Sequence, residues 1–402
     1  MAPILSTSIP GCEYLDNIPF PHADFFGVAD RLTQEEQEKL QEIHTFLQTE
    51  IRPVAGEYWD REEFPFHLLE KLADLGLGEL EFSGYSRLFK GLVYAEVTRA
   101  DVSLSALVGI HNELVLELVH NLGSDEHRAT WIEGLRKFKK IGCFALTEPD
   151  HGSDIAGGLA TTATRTDEGW VINGKKRWIG GGTFADFAIV FARDVADDEI
   201  KGFIVELDRP GVTREKIARK MGLRIMQNAD LGFNDVVIPH DNLLPGAESF
   251  KATNTYLKNS RAWVGWQGAG IQLGIFDKAR EFALKREQFG KPIAKFQLIQ
   301  EALSRILGNA TASLSMMAQL AWVQSEGRLE MPYAALAKAT TTRLARESAA
   351  AGRAIGGGDG ILTQNDLSKM LNDVEILFTY EGTYEINSLI VGRAITGQSA
   401  FV

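Results

Sequence analysis

Phe378-Thr379-Tyr380-Glu381-Gly382-Thr383-Tyr384-Glu385-Ile386-Asn387 lies near the end of a chain of 402 residues. At its centre one carboxylate, Glu381, stands between a tyrosine and a glycine. Gly382 has no side chain, so a ligand can approach the backbone beside the acid. Thr383 adds a hydroxyl one step further on. An acid next to open backbone has what a proton-abstracting base needs, namely reach and room for a substrate. A single acid in a loop is more often an ordinary solvated residue, so the surrounding sequence has to decide.

Working back from this stretch, apolar residues recur at helical spacing from about residue 253. Ile275, Ala279, Phe282 and Ala283 form one stripe, and residues 296–307, 310–326 and 333–354 continue the pattern. This last third reads as a bundle of long antiparallel helices. Residues 142–146, 159–165, 170–172, 175–179, 187–191 and 202–206 are short and rich in β-branched and aromatic residues, which predicts strands. Asn173-Gly174 between two of them is a hairpin signal. The first third is helical again. Thr33-x-x-Glu36 is a capping box, followed by apolar residues to Ile51, with Pro53 expected to end that helix. Helical patterns also cover 66–75, 92–99, 103–122 and 126–135. The order is α, β, α: an irregular arm over 1–30, a helical domain over 31–140, a β domain (barrel or sandwich) over 141–247 and a helical bundle over 248–402.

Hydrophobic residues make up 45% and charged residues 24%, a globular mixture. With 42 Lys and Arg against 54 Asp and Glu the net charge is −12, which argues against non-specific nucleic-acid binding. Cys12 and Cys143 are too few for a disulfide framework and have no zinc-type spacing, so reduced thiols and no metal site are expected. Neither a secretory leader nor a run of 18 apolar residues is legible. No membrane association is expected, and the cytoplasm is the expected compartment.

Four further stretches carry chemistry. Cys143-Phe144-Ala145-Leu146-Thr147-Glu148-Pro149-Asp150-His151-Gly152-Ser153-Asp154 runs from a strand into a polar turn that offers hydroxyls and N–H groups. Trp170 to Ile179 reads as a hairpin with a large aromatic, Trp178, near its end. Arg286-Glu287-Gln288-Phe289-Gly290, followed by Phe296-Gln297, closes a helix with a guanidinium able to fork onto a pyrophosphate. Ala354-Ile355-Gly356-Gly357-Gly358 is a glycine-rich helix end, without the strand-then-helix setting of a dinucleotide fingerprint.

In this order and at these intervals, the elements Leu146-Thr-Glu-Pro-x-x-Gly-Ser-Asp, Arg286-x-Gln-Phe-Gly and Tyr380-Glu-Gly-Thr resemble the acyl-CoA dehydrogenase and oxidase flavoprotein family. The resemblance covers about residues 30–400. The ending Tyr384-x-Ile386-Asn387-x-Leu389-Ile390-x-Gly392-Arg393-Ala394-Ile395-Thr396-Gly397 is most like the branch of glutaryl-CoA dehydrogenases and plant short-chain acyl-CoA oxidases. The resemblance implies the α+β three-domain fold, FAD as cofactor, a short- or medium-chain acyl-CoA dehydrogenated to trans-2-enoyl-CoA, and a homotetramer built as a dimer of dimers. Electrons would pass to an electron-transfer flavoprotein, or to O2 in an oxidase; a non-catalytic flavin- or CoA-binding relative is the third reading, against which the retained Glu381 argues.

It also implies roles. Glu381 would take the α-proton while a β-hydride passes to flavin N5. Phe144, Leu146, Thr147, Gly152 and Ser153 would line the flavin, with Ser153 also near the thioester. Trp178, Ile179 and Gly180 would follow along the ring. Arg286, Phe289 and Gln297, with Ala354, Ile355, Gly357 and Gly358, would hold the FAD of a neighbouring subunit, and Thr383 and Phe401 would also touch FAD. Asn254, Tyr256, Leu257 and Arg261 would border the CoA and acyl path, with Gly382 beside the substrate. An oxyanion hole for the thioester would include the backbone N–H of Glu381.

Two positions depart from the pattern. Gly180 stands where most dehydrogenases have a threonine that meets flavin N5. Ser105 stands where glutaryl-CoA dehydrogenases have an arginine for the distal carboxylate. Burying a second carboxylate without that cation is costly, so a neutral acyl chain and no decarboxylation are expected.

Overall fold

A computed structural model describes residues 23–400. Thr33 caps α1 (Gln34–Phe46) and exchanges hydrogen bonds with Glu36, as the capping box requires. Pro53 does not end this helical run. A π-turn over Leu47–Ile51 breaks it first, and Pro53 falls in the first turn of α2 (Arg52–Arg61), where a missing N–H costs nothing. The N-terminal helices continue as α3 (Leu69–Asp74), α4 (Arg87–Ala100), α5 (Val102–Gly109), α6 (Glu117–Leu122) and α7 (Asp125–Arg136). The run Val102–Leu122 is long and apolar enough to cross a membrane by composition, but 94% of its most apolar window is buried inside the protein.

The middle of the chain is a seven-stranded mixed sheet. Its strands are β1 (Gly142–Ala145), β2 (Thr162–Arg165), β3 (Trp170–Gly180), β4 (Phe187–Asp194), β5 (Ile200–Glu206), β6 (Val212–Lys216) and β7 (Asn228–Ile238), with the short helix α8 (Ile155–Gly158) before β2. The order is β1-β4-β2-β3-β7-β6, with β5 on β4. Side chains of β4 alternate between two cores. Ala188, Val190 and Ala192 pack within the sheet's own cluster, whereas Phe187, Ile189 and Phe191 pack with Val115, Leu118 and Leu135 of the N-terminal helices.

Asn173-Gly174 is not a hairpin turn. It is a bulge inside the continuous strand β3, where the register with β7 shifts. Asn173 is held there by a two-way exchange with Asp235, at 3.0 and 2.8 Å. The turn that joins β2 to β3 is at Thr166–Gly169 instead, closed by Thr166 N donating to Gly169 O at 2.8 Å.

The C-terminal helices are α9 (Phe250–Lys285), α10 (Gln297–Ser325), α11 (Met331–Ile355), α12 (Asp366–Thr379) and α13 (Tyr384–Thr396); a two-stranded ribbon, β8 (Glu287–Gln288) with β9 (Lys291–Pro292), follows α9. The expected break near residue 308 is absent, and α10 runs straight through it. N-terminal and C-terminal helices share one apolar core.

Buried ion pairs lock these layers together. Arg99 Nε donates to Asp277 at 2.6 Å and Nη1 to Glu96 at 3.0 Å, tying α4 to α9. Its guanidinium helps hold the Glu96 carboxyl down at about 2 against the opposing effect of burial. Asp101 caps α5 through Leu104 N at 2.8 Å and receives Lys369 of α12 at 2.6 Å. Lys369 also donates to Asp373 at 2.8 Å. Asp373 in turn accepts from Trp59 Nε1 at 2.9 Å and from Leu223 N at 2.7 Å. All three parts of the chain therefore meet at α12, the helix that leads into the Glu381 turn.

A second buried group is acid-rich. Carboxylate oxygens of Glu81, Glu113 and Glu117 lie within 4.8 Å of one another. Glu81 takes the cations: it pairs with Arg87, and its backbone oxygen receives Lys90 Nζ at 2.6 Å. Burial first, and then the Glu81 charge, push the Glu117 carboxyl up to about 7. A carboxyl raised on folding favours the native state less as pH climbs from its unfolded value through its folded one. Glu117→Gln is therefore expected to raise stability at pH 8 by on the order of 1–3 kcal/mol. At pH 5, where the glutamate is already protonated, it should be close to neutral. Urea unfolding at the two pH values checks this, and equal effects at both would contradict it.

Candidate active site

Helix α12 ends at Thr379, and Tyr380 is extended. Glu381 and Gly382 then both take left-handed backbone angles, at φ +54° and +78°. Thr383 restarts the chain as the cap of α13, its Oγ1 accepting from Ile386 N at 3.2 Å. A left-handed conformation is natural for Gly382, but at a glutamate it costs roughly 1–2 kcal/mol. The surroundings impose it. Lys338 of α11, fully buried, donates to Phe378 O at 3.1 Å and Gly382 O at 2.7 Å. Asn387 Nδ2 donates to Gly382 O at 2.7 Å and Thr383 O at 3.0 Å. Burial brings the Lys338 ammonium down to about 7, with the Glu381 charge opposing that fall.

The turn aims the Glu381 carboxylate at α9, where Ser260 Oγ donates to Oε2 at 2.6 Å. Arg261 is the next residue, its guanidinium lowered by burial and supported by the same carboxylate. Tyr380 donates its hydroxyl to Gln267 Oε1. Gln267 Nε2 donates to Ser105 Oγ at 2.9 Å, and Ser105 lies 2.6 Å from Thr98 Oγ1. Ser105, expected at the acyl tail, is thus fully buried in a chain of hydrogen bonds behind Tyr380. Of the other residues expected on the CoA path, Asn254 is exposed, Tyr256 half-buried and Leu257 buried.

A second group of expected site residues comes from the β1–loop segment and the end of β3. Fully buried Lys176 donates to Leu146 O at 3.0 Å and Glu148 Oε1 at 2.8 Å. Glu148 also accepts from Ala160 N at 2.7 Å and Thr161 N at 2.9 Å. This pair shapes the loop that presents Thr147, Gly152 and Ser153, of which Gly152 and Ser153 are exposed. Leu146 and Ile179 instead put their side chains into the cores. Phe144 packs on Phe191, ring centroids 5.2 Å apart.

Trp178 has φ +64° and leaves 52% of its surface open. The Arg177 guanidinium lies 5.1 Å from its ring centroid. The glycine at 180 has a packing reason: a Cβ there would come within 2.7 Å of Ile110 Cδ1 and 2.9 Å of Met226 Cε. Those two side chains occupy the space of the usual threonine.

Arg286, Phe289, Gln297 and the 354–358 loop form a separate group. Arg286 faces Asp359 at 3.9 Å across an open depression of about 690 Å³. Phe289 is 92% exposed and Gln297 is exposed. Gly357 and Gly358 have open space where side chains would stand, and Ala354 is exposed, whereas Ile355 is core. Arg286 follows the last residue of α9, Lys285, which is 25 helix positions from Ser260, roughly 38 Å along the helix. The two groups therefore cannot close on one another within one chain. Phe401 lies outside the described residues.

An open aromatic face at Trp178, a half-exposed guanidinium at Arg286 and uncovered backbone at Gly357 and Gly358 suit a flat, pyrophosphate-bearing cofactor such as FAD.

Residues 33–139, 143–236 and 250–396 match the N-terminal, middle and C-terminal domain models of acyl-CoA dehydrogenase. The chain is 32% identical over 371 residues to the mitochondrial short-chain specific acyl-CoA dehydrogenase of Homo sapiens, covering 90% of each. It superposes on glutaryl-CoA dehydrogenase from Mycobacterium smegmatis in complex with FADH2 with a TM-score of 0.90 at 30% identity, covering 94% of this chain and 98% of that one. For butyryl-CoA dehydrogenase from Megasphaera elsdenii the TM-score is 0.85 at 29% identity, with 91% and 99% covered. With all three domain models matched in order along one chain, the protein belongs to the acyl-CoA dehydrogenase family of FAD-dependent oxidoreductases acting on CH–CH bonds.

Proposed function

We propose that the protein converts a short, uncharged acyl-CoA to its trans-2-enoyl-CoA, with Glu381 as the base. The observation that carries this reading is the strained turn: a glutamate held at φ +54° by Lys338 and Asn387, with Ser260 on its carboxylate. Such strain persists only where the surroundings enforce it and often marks a functional position. Ser260 orients Oε2, leaving the other oxygen to meet the α-proton. The backbone N–H of Glu381 serves the developing enolate oxygen. Bound FAD supplies the two-electron acceptor for the β-hydride. Trp178, Thr147 and Ser153 line its side of the cleft, and Arg286, Phe289, Gln297 and the Gly357 region serve the FAD of a second copy. The separation of roughly 38 Å along α9 favours this sharing between two copies, the unit from which a dimer of dimers is built.

A neutral acyl group follows from Ser105. Its hydroxyl is engaged by Gln267 and Thr98 and carries no charge for a distal carboxylate. Electron-transfer flavoprotein is the proposed acceptor. The test is a panel of butyryl-, octanoyl- and glutaryl-CoA with a dye acceptor, run alongside peroxide detection. Butyryl-CoA is expected to turn over fastest, without stoichiometric peroxide. Faster turnover of glutaryl-CoA would overturn the substrate assignment, and peroxide matching turnover in air would make the protein an oxidase.

A further inference from the structure

We infer that Trp263 closes the inner end of the acyl cleft and restricts this protein to very short acyl chains, an inference that rests on the proposed dehydrogenation. The base side and the flavin side of the cleft converge on one segment, Gly109-Ile110. On the flavin side, Ile110 Cδ1 fills the space above Gly180. On the base side, Trp263 lies one helical turn beyond Ser260 on α9, so both project from the same face.

The indole packs directly on the backbone of Gly109, where a Cβ would fall 1.9 Å from its Cε2 atom. It also meets the Tyr380 ring edge-on, centroids 6.1 Å apart at 89°, and lies 6.3 Å from the ring of Tyr94. Only 1% of Trp263 is exposed. An acyl tail that enters between Glu381 and Gly180 therefore runs into Ile110 and then the indole. Tyr94, Glu81 and Glu113 line a small cavity together with the indole. That is a poor environment for methylene groups, since an apolar tail there would separate buried carboxylates from their partners. Size and polarity thus set the same limit.

The experiment is a chain-length profile of kcat/KM from C4 to C10 acyl-CoA on FAD-loaded protein. Wild type is expected to prefer butyryl-CoA over octanoyl-CoA by at least about 100-fold, a discrimination of the size pockets achieve over several methylenes. Trp263→Leu should raise the octanoyl-to-butyryl ratio by at least about tenfold, whereas Trp263→Phe, which keeps a ring on Gly109, should leave it within about threefold. FAD content and thermal midpoint of each variant separate a length effect from a folding defect. Wild-type protein that handles octanoyl-CoA as well as butyryl-CoA overturns the inference without recourse to any variant. So does a folded Trp263→Leu protein with an unchanged profile. Absence of turnover with every acyl-CoA would instead count against the dehydrogenation reading itself.

Discussion

Glu381→Gln is expected to lower kcat for butyryl-CoA by about 10²–10⁴-fold, the range associated with removing a general base. The substitution keeps the size of the side chain and an acceptor oxygen for Ser260 Oγ, now 2.6 Å from Oε2. Lys338 and Asn387 hold backbone carbonyls of the turn, and these hydrogen bonds do not run through the carboxylate, although Lys338 loses the charge that opposes the fall of its ammonium. Binding of enoyl-CoA should accordingly stay within about threefold of wild type, as should FAD content. Steady-state assays with a dye acceptor and a binding titration measure both quantities. A variant that keeps a tenth or more of wild-type turnover would show that the α-proton leaves by another route.

Lys369→Met is expected to cost roughly 3–5 kcal/mol of stability, because it leaves two buried carboxylates without their shared cation. Asp101 and Asp373 are both almost completely buried, and Lys369 contacts them at 2.6 and 2.8 Å. Their charge holds the lysine well above the ordinary ammonium range. Without it the two aspartates repel one another, and the Asp101 carboxyl, already pushed up by burial, loses the cation that opposes that rise. Carboxyls raised on folding destabilise increasingly as pH climbs, so the defect should be larger at pH 8 than at pH 5. Denaturant unfolding of wild type and variant at both pH values reads this directly. A loss below about 1 kcal/mol at pH 8 would mean that Lys369 does not tie the helical domains to the Leu223 segment in the manner described.

Much of this architecture is legible in the chain itself, for identifiable reasons. The Thr33 capping box is local, and so is the helical period of the last third. The Tyr380-Glu381-Gly382-Thr383 stretch announces itself because a glycine and then a hydroxyl follow the acid. Features set by distant partners are not legible. Asn228–Ile238 contains Asn, Asp and Gly that read as turn residues, yet Ala229, Leu231 and Phe233 alternate into the sheet core. Asn173-Gly174 has the composition of a hairpin turn, but pairing with β7 on the far side of β3 keeps the strand going through it.

The supports of the base are hidden for the same reason. Ser260 is 121 positions from Glu381, and Lys338 is 44 from Gly382. On their own helices a serine and a lysine look like ordinary polar residues, and only the tertiary fold places them against the turn. Gly180 reads as a departure from the family pattern, and its packing against Ile110 and Met226 is set by the tertiary fold alone.

The most direct test of the arrangement of base and cofactor is the first turnover under anaerobic conditions. FAD-loaded protein is mixed with butyryl-CoA carrying either hydrogen or deuterium at the α-carbon, and the loss of flavin colour is followed in time. If Glu381 removes the α-proton in the step that reduces the flavin, colour is lost with both substrates, at least about twofold more slowly with the deuterated one. Rates that are the same for both isotopes, or a flavin that keeps its colour with bound butyryl-CoA, would contradict the account.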